Sequence, residues 1–460
     1  MWGQAVGPSW SRVVAGSEVA GSGVARIGPW AGVAEKRGLD LLLHRVRHGT
    51  VTVEFWDGER RSYGDGRPAV TVRITDPSAV RRAVRGASVA FGEAYAAGDI
   101  DVAEDELPAL FQILHDNRDT VGGLARLRRL SRRHRNRRGR QSRQIRHHYD
   151  VGNDYYRLFL DPSLTYSCAY FEHRSDALDQ AQRQKINHVL HKLRLQPGQR
   201  LLDIGCGWGY LAVTAALDYQ ATVVGITLSA EQLAGARELA ARAGVGDRVQ
   251  FALCNYQDLA DTTDPALTGP FDRVVSVGMF EHAGRAGQAR YVRALSTLLA
   301  EDGVSVLHTI TDQRDEPLDA FTDRHVFPGG RLPTVARTER LLAEHRLWSL
   351  DRENLWQHYA ATLAAWQHRR HHQQIVAMFG EPFYRTRDLW LAASQAGFTH
   401  GDLGLSQFVI SKGKPAHWPL TRRDLYPNAR GAGSDDGAGS GNGAGPVTEA
   451  PPRHTRWTPA

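Results

Sequence analysis

Asp203-Ile204-Gly205-Cys206-Gly207-Trp208-Gly209 places glycines at three alternate positions directly after the apolar run Leu201-Leu202. Glycine has no Cβ, so such a loop lets backbone N–H groups come close to a bound ligand. Between a strand and a helix it is the usual cradle of a nucleotide-type cofactor. The dinucleotide fingerprint GxGxxG is absent because the third glycine falls one position early, which favours S-adenosylmethionine over a nicotinamide or flavin. Asp203, at the strand end, can accept from a ligand donor or can simply cap the loop. Where many adenosyl-cofactor enzymes place an acid for the ribose, this chain reads Thr227-Leu228-Ser229-Ala230-Glu231-Gln232. Thr227, Ser229 and Gln232 offer neutral hydrogen bonds there, and Ser229 can equally N-cap the next helix. The three cysteines, Cys168, Cys206 and Cys254, show no CxxC spacing, so neither a disulfide framework nor a metal site is read, and a reduced, cytoplasmic setting fits.

The elements that must carry these loops alternate. Helical spacing covers 181–195, 210–217 and 230–243, and strand-like runs cover 200–204, 221–226, 249–253, 273–277 and 304–308. Strand alternating with helix predicts a mostly parallel sheet covered on both faces, with ligands beyond the carboxyl ends of its strands. Ahead of it, β-branched runs at 51–56 and 69–74, then a mostly helical stretch from Phe91 to Leu114, predict a small α+β domain over 36–116. The remaining expected segments are a loose extension at 1–35, a basic linker at 117–146, a catalytic domain at 147–415 and a tail at 416–460 that turns Gly- and Ala-rich from about Asn428.

Six segments occur together in order: His148-Tyr149-Asp150-Val151-Gly152-Asn153-Asp154, Tyr166-Ser167-Cys168-Ala169-Tyr170-Phe171, the glycine loop, Val277-Gly278-Met279-Phe280-Glu281-His282, Leu307-His308-Thr309-Ile310 and Phe327-Pro328-Gly329-Gly330. With them, residues 146–412 resemble the cyclopropane-fatty-acyl-phospholipid synthase family, including the mycolic acid cyclopropane synthases. The resemblance implies a class I adenosylmethionine-dependent methyltransferase fold, doubly wound, with a small N-terminal α+β domain. It implies a cofactor held by Tyr166, Ser167, Asp203, Gly205, Cys206, Gly207, Gly209, Thr227, Leu228, Ser229, Gln232, Tyr256 and Gln257. It further implies a bicarbonate ion held by Cys168, Glu281, His308 and Tyr359. In such chemistry a sulfonium methyl is attacked by a cis double bond, and closing the three-membered ring then requires loss of one proton, for which bicarbonate is the acceptor. His308 and Tyr359 would donate or accept according to tautomer, and the faces of Tyr170, Phe171 and Trp366 could stabilise a cation. Several relatives carry a cysteine where this chain has Ser394, so a thiolate nucleophile at that point is excluded. Alternatives left open are a fatty-acyl methyltransferase giving methylene- or methyl-branched chains and an inert membrane-binding homologue.

The whole chain has 460 residues and a net charge of +7. Arg126 to Arg146 alone holds eleven arginines and no acid, so the basicity is local. Such a run is either a solvated connector or a contact to a polyanionic surface. With the resemblance, the surface read is that of unsaturated phospholipids in a membrane rather than nucleic acid. The expected protein is cytoplasmic, peripheral to the inner face of the cell membrane, and a homodimer in the manner of its relatives.

Overall fold

The computed structural model describes residues 32–121 and 152–426. The expectations for the N-terminal extension, the arginine run, His148 to Val151 and the glycine-rich tail lie outside the described residues.

Alternating valines put Val51 and Val53 of β1 (Thr50–Glu54) and Val70, Val72 and Ile74 of β3 (Ala69–Ile74) on one buried face. β2 (Arg60–Tyr63) and β4 (Ile100–Val102) complete a sheet of order β2-β1-β3-β4. Around it lie α1 (Val33–Leu43), α2 (Pro77–Ala97) and α3 (Leu107–Asp116). The stretch expected to be mostly helical is thus divided. Asp76 accepts from Ser78 N to start α2, Gly98 ends it in the left-handed region, and Ile100 and Val102 turn inward as β4 beside β3. β2 escapes a hydrophobic reading because its residues are mostly polar, and its pairing with β1 holds it.

The second sheet has the order β10-β11-β9-β8-β5-β6-β7. Its parallel part comprises β5 (Arg200–Ile204), β6 (Thr222–Thr227), β7 (Val249–Leu253), β8 (Phe271–Val277) and β9 (Leu299–Asp312). β10 (Leu347–Asn354) and β11 (Leu403–Lys412) add an antiparallel edge. The helices in chain order are α4 (Asn153–Phe159), α5 (Leu178–Leu193), α6 (Tyr210–Asp218), α7 (Ala230–Arg242), α8 (Gly284–Leu298), α9 (Ala320–His325), α10 (Val335–Glu344), α11 (Trp356–His368), α12 (His372–Phe379) and α13 (Glu381–Thr399). Two apolar clusters, one per face, bury the sheet, as a doubly wound α/β fold requires. β5 lies between β6 and β8, so the glycine loop sits where the strand order reverses.

α13 joins the two parts. Its Leu389 and Ala392, with Phe321 of α9, complete the N-terminal core, and Arg385 donates to Tyr95 O at 2.6 Å, Ile100 O at 3.1 Å and Asp101 at 2.9 Å. The described residues continue past the expected tail boundary at 416: Leu425 is buried and Tyr426 donates to Glu353 at 2.9 Å.

Candidate active site

A cleft opens at the carboxyl ends of β5, β6, β7 and β8. Tyr166, Ser167, Asp203, Gly205, Cys206, Gly207, Thr227, Leu228, Gln232 and Tyr256 of the expected cofactor set line it. Gly205 and Gly207 have positive φ, and a Cβ on Gly205 would meet Met279 at 3.1 Å. At the end of β6 the neutral groups hold one another: Thr227 Oγ1 donates to Gln232 Oε1 at 2.8 Å, which leaves Gln232 its amide N–H groups to offer.

Three expected residues do not line the cleft. Gly209 starts α6 where a Cβ would lie 2.7 Å from Phe251 and 2.9 Å from Ala236, so its role is close packing. Ser229 caps α7 by accepting from Gln232 N at 3.3 Å. Gln257 is buried and turns its amide to Tyr256 OH at 3.3 Å. The sequence in turn gave no sign of Lys185, which enters the cleft from α5 and donates to Ser167 Oγ at 3.0 Å. Burial lowers its pKa to about 8, against the opposing influence of the nearby Asp161 and Asp203 carboxyls. Burial likewise lifts Asp203 to about 7, with Lys185 working in the opposite direction.

Cys168, Glu281, His308 and Tyr359, separated by up to 191 residues of sequence, line one second cavity of about 70 Å³. Tyr166, Ser167, Gly278 and His282 border both spaces, so the two adjoin. Glu281 stands on a short 3-10 turn after β8, and its Oε1 accepts from Ile310 N at 2.6 Å. Its Oε2 and the Nε2 of His308 are buried with no hydrogen-bond partner among the described residues. Such atoms are costly unless something polar meets them. Burial raises Glu281 to about 7, and holds His308 well below the usual imidazole range and His282 near 4. The Cys168 thiol is fully buried and pushed up by desolvation, so it is no thiolate nucleophile.

The rest of the wall is mostly apolar, with Ile310, Leu318, Phe327, Leu332, Trp390 and Leu405, joined by Gly330 and the charged Arg331. Tyr170, Phe171 and Trp366 do not line it. Tyr170 stacks between His188 at 4.2 Å and His358 at 4.6 Å, and Trp366 is buried against Phe159, Tyr166 and Tyr359. Phe327 and Trp390, edge to face at 5.5 Å, line it together with Tyr166 and Tyr359. Ser394 lines neither space, although it follows Trp390 by one turn of α13.

Residues 136–408 match the family model for mycolic acid cyclopropane synthetase, and residues 39–122 match a domain of unknown function. A probable fatty acid methyltransferase of Pseudomonas putida is 35% identical over 82% of this chain and 97% of its own length. The cyclopropane-fatty-acyl-phospholipid synthase of Escherichia coli K12 is 34% identical over 76% of this chain and 90% of its own. A mycolic acid cyclopropane synthase solved with SAH and CTAB is 34% identical and superposes with a TM-score of 0.54 over 59% of this chain and 98% of that one. Fold and cleft define the class: an α/β methyltransferase that uses S-adenosylmethionine. Within that class the chain belongs to the mycolic acid cyclopropane synthetase family.

Proposed function

We propose that the chain is a cyclopropane-fatty-acyl-phospholipid synthase, which adds a methylene from S-adenosylmethionine across the cis double bond of an unsaturated phospholipid acyl chain. The observation that carries this reading is the second cavity, where Glu281 Oε2 and His308 Nε2 face a small space shared with Cys168 and Tyr359, beside the cofactor cleft. When bound, the cofactor supplies an electrophilic sulfonium methyl and bicarbonate supplies a proton acceptor. The cofactor would rest on the glycine loop, Tyr166, Thr227, Leu228, Gln232 and Tyr256, and bicarbonate would meet Glu281, His308, Tyr359 and Cys168. With a pKa near 7, Glu281 is divided between its two forms at neutral pH: protonated it donates a hydrogen bond to an oxyanion without giving up the proton, and ionised it can take up the proton that the reaction releases. Leu318, Phe327, Leu332, Trp390 and Leu405 present the apolar wall an olefin needs and exclude water from the reacting carbon. No cysteine thiolate is required, since the alkene is itself the nucleophile. The remainder of the reading is peripheral attachment to a phospholipid surface through the arginine run.

Purified protein incubated with methyl-labelled S-adenosylmethionine and dioleoyl-phospholipid vesicles should give ring-containing acyl chains on gas chromatography with mass spectrometry. Glu281→Gln should lower product by about 100-fold or more while cofactor binding persists, in line with the loss of a positioned carboxylate that takes up the released proton. A methylene- or methyl-branched product would instead favour the branching activity that the name of the Pseudomonas relative admits. Label in neither would end both readings.

A further inference from the structure

His308 on β9, Gln407 on β11 and Glu353 on β10 stand directly opposite one another in strand register, so their side chains share one face of the sheet. α5 lays Lys192 and His188 over that face. Lys192 Nζ donates to Gln407 Oε1 at 2.6 Å and to the Glu353 carboxylate. Gln407 Nε2 lies 3.0 Å from His308 Nδ1. His188 Nε2 and Tyr426 OH also meet Glu353, at 2.7 and 2.9 Å. All but Glu353 and Tyr426 are buried. Against the desolvation of burial, His188 and Lys192 hold the Glu353 carboxyl well below the usual carboxylate range, so Lys192 keeps a charged partner.

We infer that Lys192 and Gln407 lock the His308 imidazole as its neutral Nε2–H tautomer, so that His308 donates a hydrogen bond into the second cavity and accepts no proton there. A charged lysine has donors only. Gln407 must therefore turn its carbonyl oxygen to Lys192, since the reverse orientation would set amide hydrogens against ammonium hydrogens. The Gln407 NH2 then points at His308 Nδ1, and a hydrogen on Nδ1 would collide with it. Nδ1 presents its lone pair, and a neutral imidazole with a bare Nδ1 carries its hydrogen on Nε2. That nitrogen is the buried atom that lines the cavity without a partner among the described residues. Burial, with Lys185 and Lys192 nearby, opposes a second proton on the ring.

The roles in the cavity divide accordingly. His308 fixes an acceptor oxygen but cannot be the base, because its only lone pair on a ring nitrogen is held by Gln407. A proton released in the cavity must go to the oxyanion or to Glu281. Gln407 and Lys192 are positioning residues that act through His308. This division of roles rests on the function proposed above, whereas the tautomer does not.

The test is a ring-nitrogen NMR correlation on the full-length protein labelled with 15N-histidine, with His308 assigned by its loss in His308→Gln. The expected wild-type pattern is a protonated Nε2 and a bare Nδ1. Gln407→Glu places an acceptor at Nδ1, so the hydrogen should move to Nδ1 or the ring become cationic, with turnover down at least 100-fold and calorimetric S-adenosylmethionine affinity unchanged. Lys192→Met frees the amide to turn over and should give both tautomers, and Lys192→Arg should restore one. A proton on wild-type Nδ1, or a pattern unmoved by Gln407→Glu and Lys192→Met, overturns the inference. The spectrum needs no turnover, so a correct tautomer in a protein that makes no cyclopropane would count against the proposed function alone.

Discussion

Glu281 divides its carboxyl between two environments, with one oxygen on the Ile310 amide and the other buried without a donor among the described residues. Burial lifts its pKa from 4.5 to about 7. Below about pH 4.5 both the folded and the unfolded forms are protonated, and the group takes nothing from stability. As pH rises from there to about 7, the unfolded chain releases its proton while the folded one retains it. Stability is therefore lost across that window, on the order of 3 kcal/mol in all at roughly 1.4 kcal/mol per pKa unit. His282, buried and lowered to about 4, titrates in the opposite sense, so the informative quantity is a difference between proteins. Relative to wild type, ligand-free Glu281→Gln should gain stability between pH 5 and pH 8 in urea unfolding; a difference that stays flat would contradict the burial argument. Glu281 was legible in the sequence because it belongs to an ordered set of motifs. Lys185, Lys192 and Gln407 were not, because polar residues inside a helix or strand carry no local mark of the face they occupy. Register and packing alone bring them to the site.

At the level of elements, the alternation of apolar strands, glycine turns and amphipathic helices made β5 to β8 readable, with β5 and β7 at the expected bounds. The antiparallel edge was not readable. β11 buries Ser406 and Gln407, polar residues whose partners lie on β9 and, for Gln407, also on α5, and β10 is an edge strand with mostly polar, half-exposed residues. α13 shows what such elements do: Leu389 and Ala392 belong to the N-terminal core while Trp390 lines the cavity against Phe327. α9 works alongside it, with Phe321 set so tightly on α2 that a Cβ at Gly92 would fall 2.3 Å from its ring. Gly92→Val forces that ring or α9 to move, at a cost of about 1–3 kcal/mol for overpacking, and Phe327 lies just beyond α9. Urea unfolding should show the loss, with a fall in turnover beside it. Gly246→Ala, where a Cβ meets nothing within 4 Å, should stay within about 0.5 kcal/mol of wild type. Equal effects from the two substitutions would refute the packing account.

For the molecule as a whole, the remaining question is how a buried cavity meets a lipid chain. No helix among the described residues is long and apolar enough to cross a membrane; on the function proposed above, attachment to a lipid surface draws on charge. In sequence the eleven arginines from Arg126 to Arg146 fall between residues 121 and 152, the ends of the two described stretches, and the rest of the chain is net acidic, at −4. Attraction to an anionic surface therefore depends on this run rather than on overall charge. Each basic residue near such a surface contributes roughly 1 kcal/mol, screened over about 8–10 Å at physiological salt. Changing Arg128, Arg129, Arg132, Arg133, Arg137 and Arg138 to glutamine removes six charges and should weaken binding to phosphatidylglycerol vesicles at least 100-fold in 0.1 M salt. It should also flatten the salt dependence, because fewer counterions are displaced when the run docks. Turnover on vesicles should fall with binding, while turnover on the same lipid dispersed in neutral detergent should hold, since the role proposed for the run is attachment to the surface and not the chemistry. Sedimentation with vesicles and rate measurements in both formats separate these effects. Undiminished vesicle binding would take the arginine run out of the account, and lost turnover in detergent would mean that the run supports the fold or the site rather than the surface.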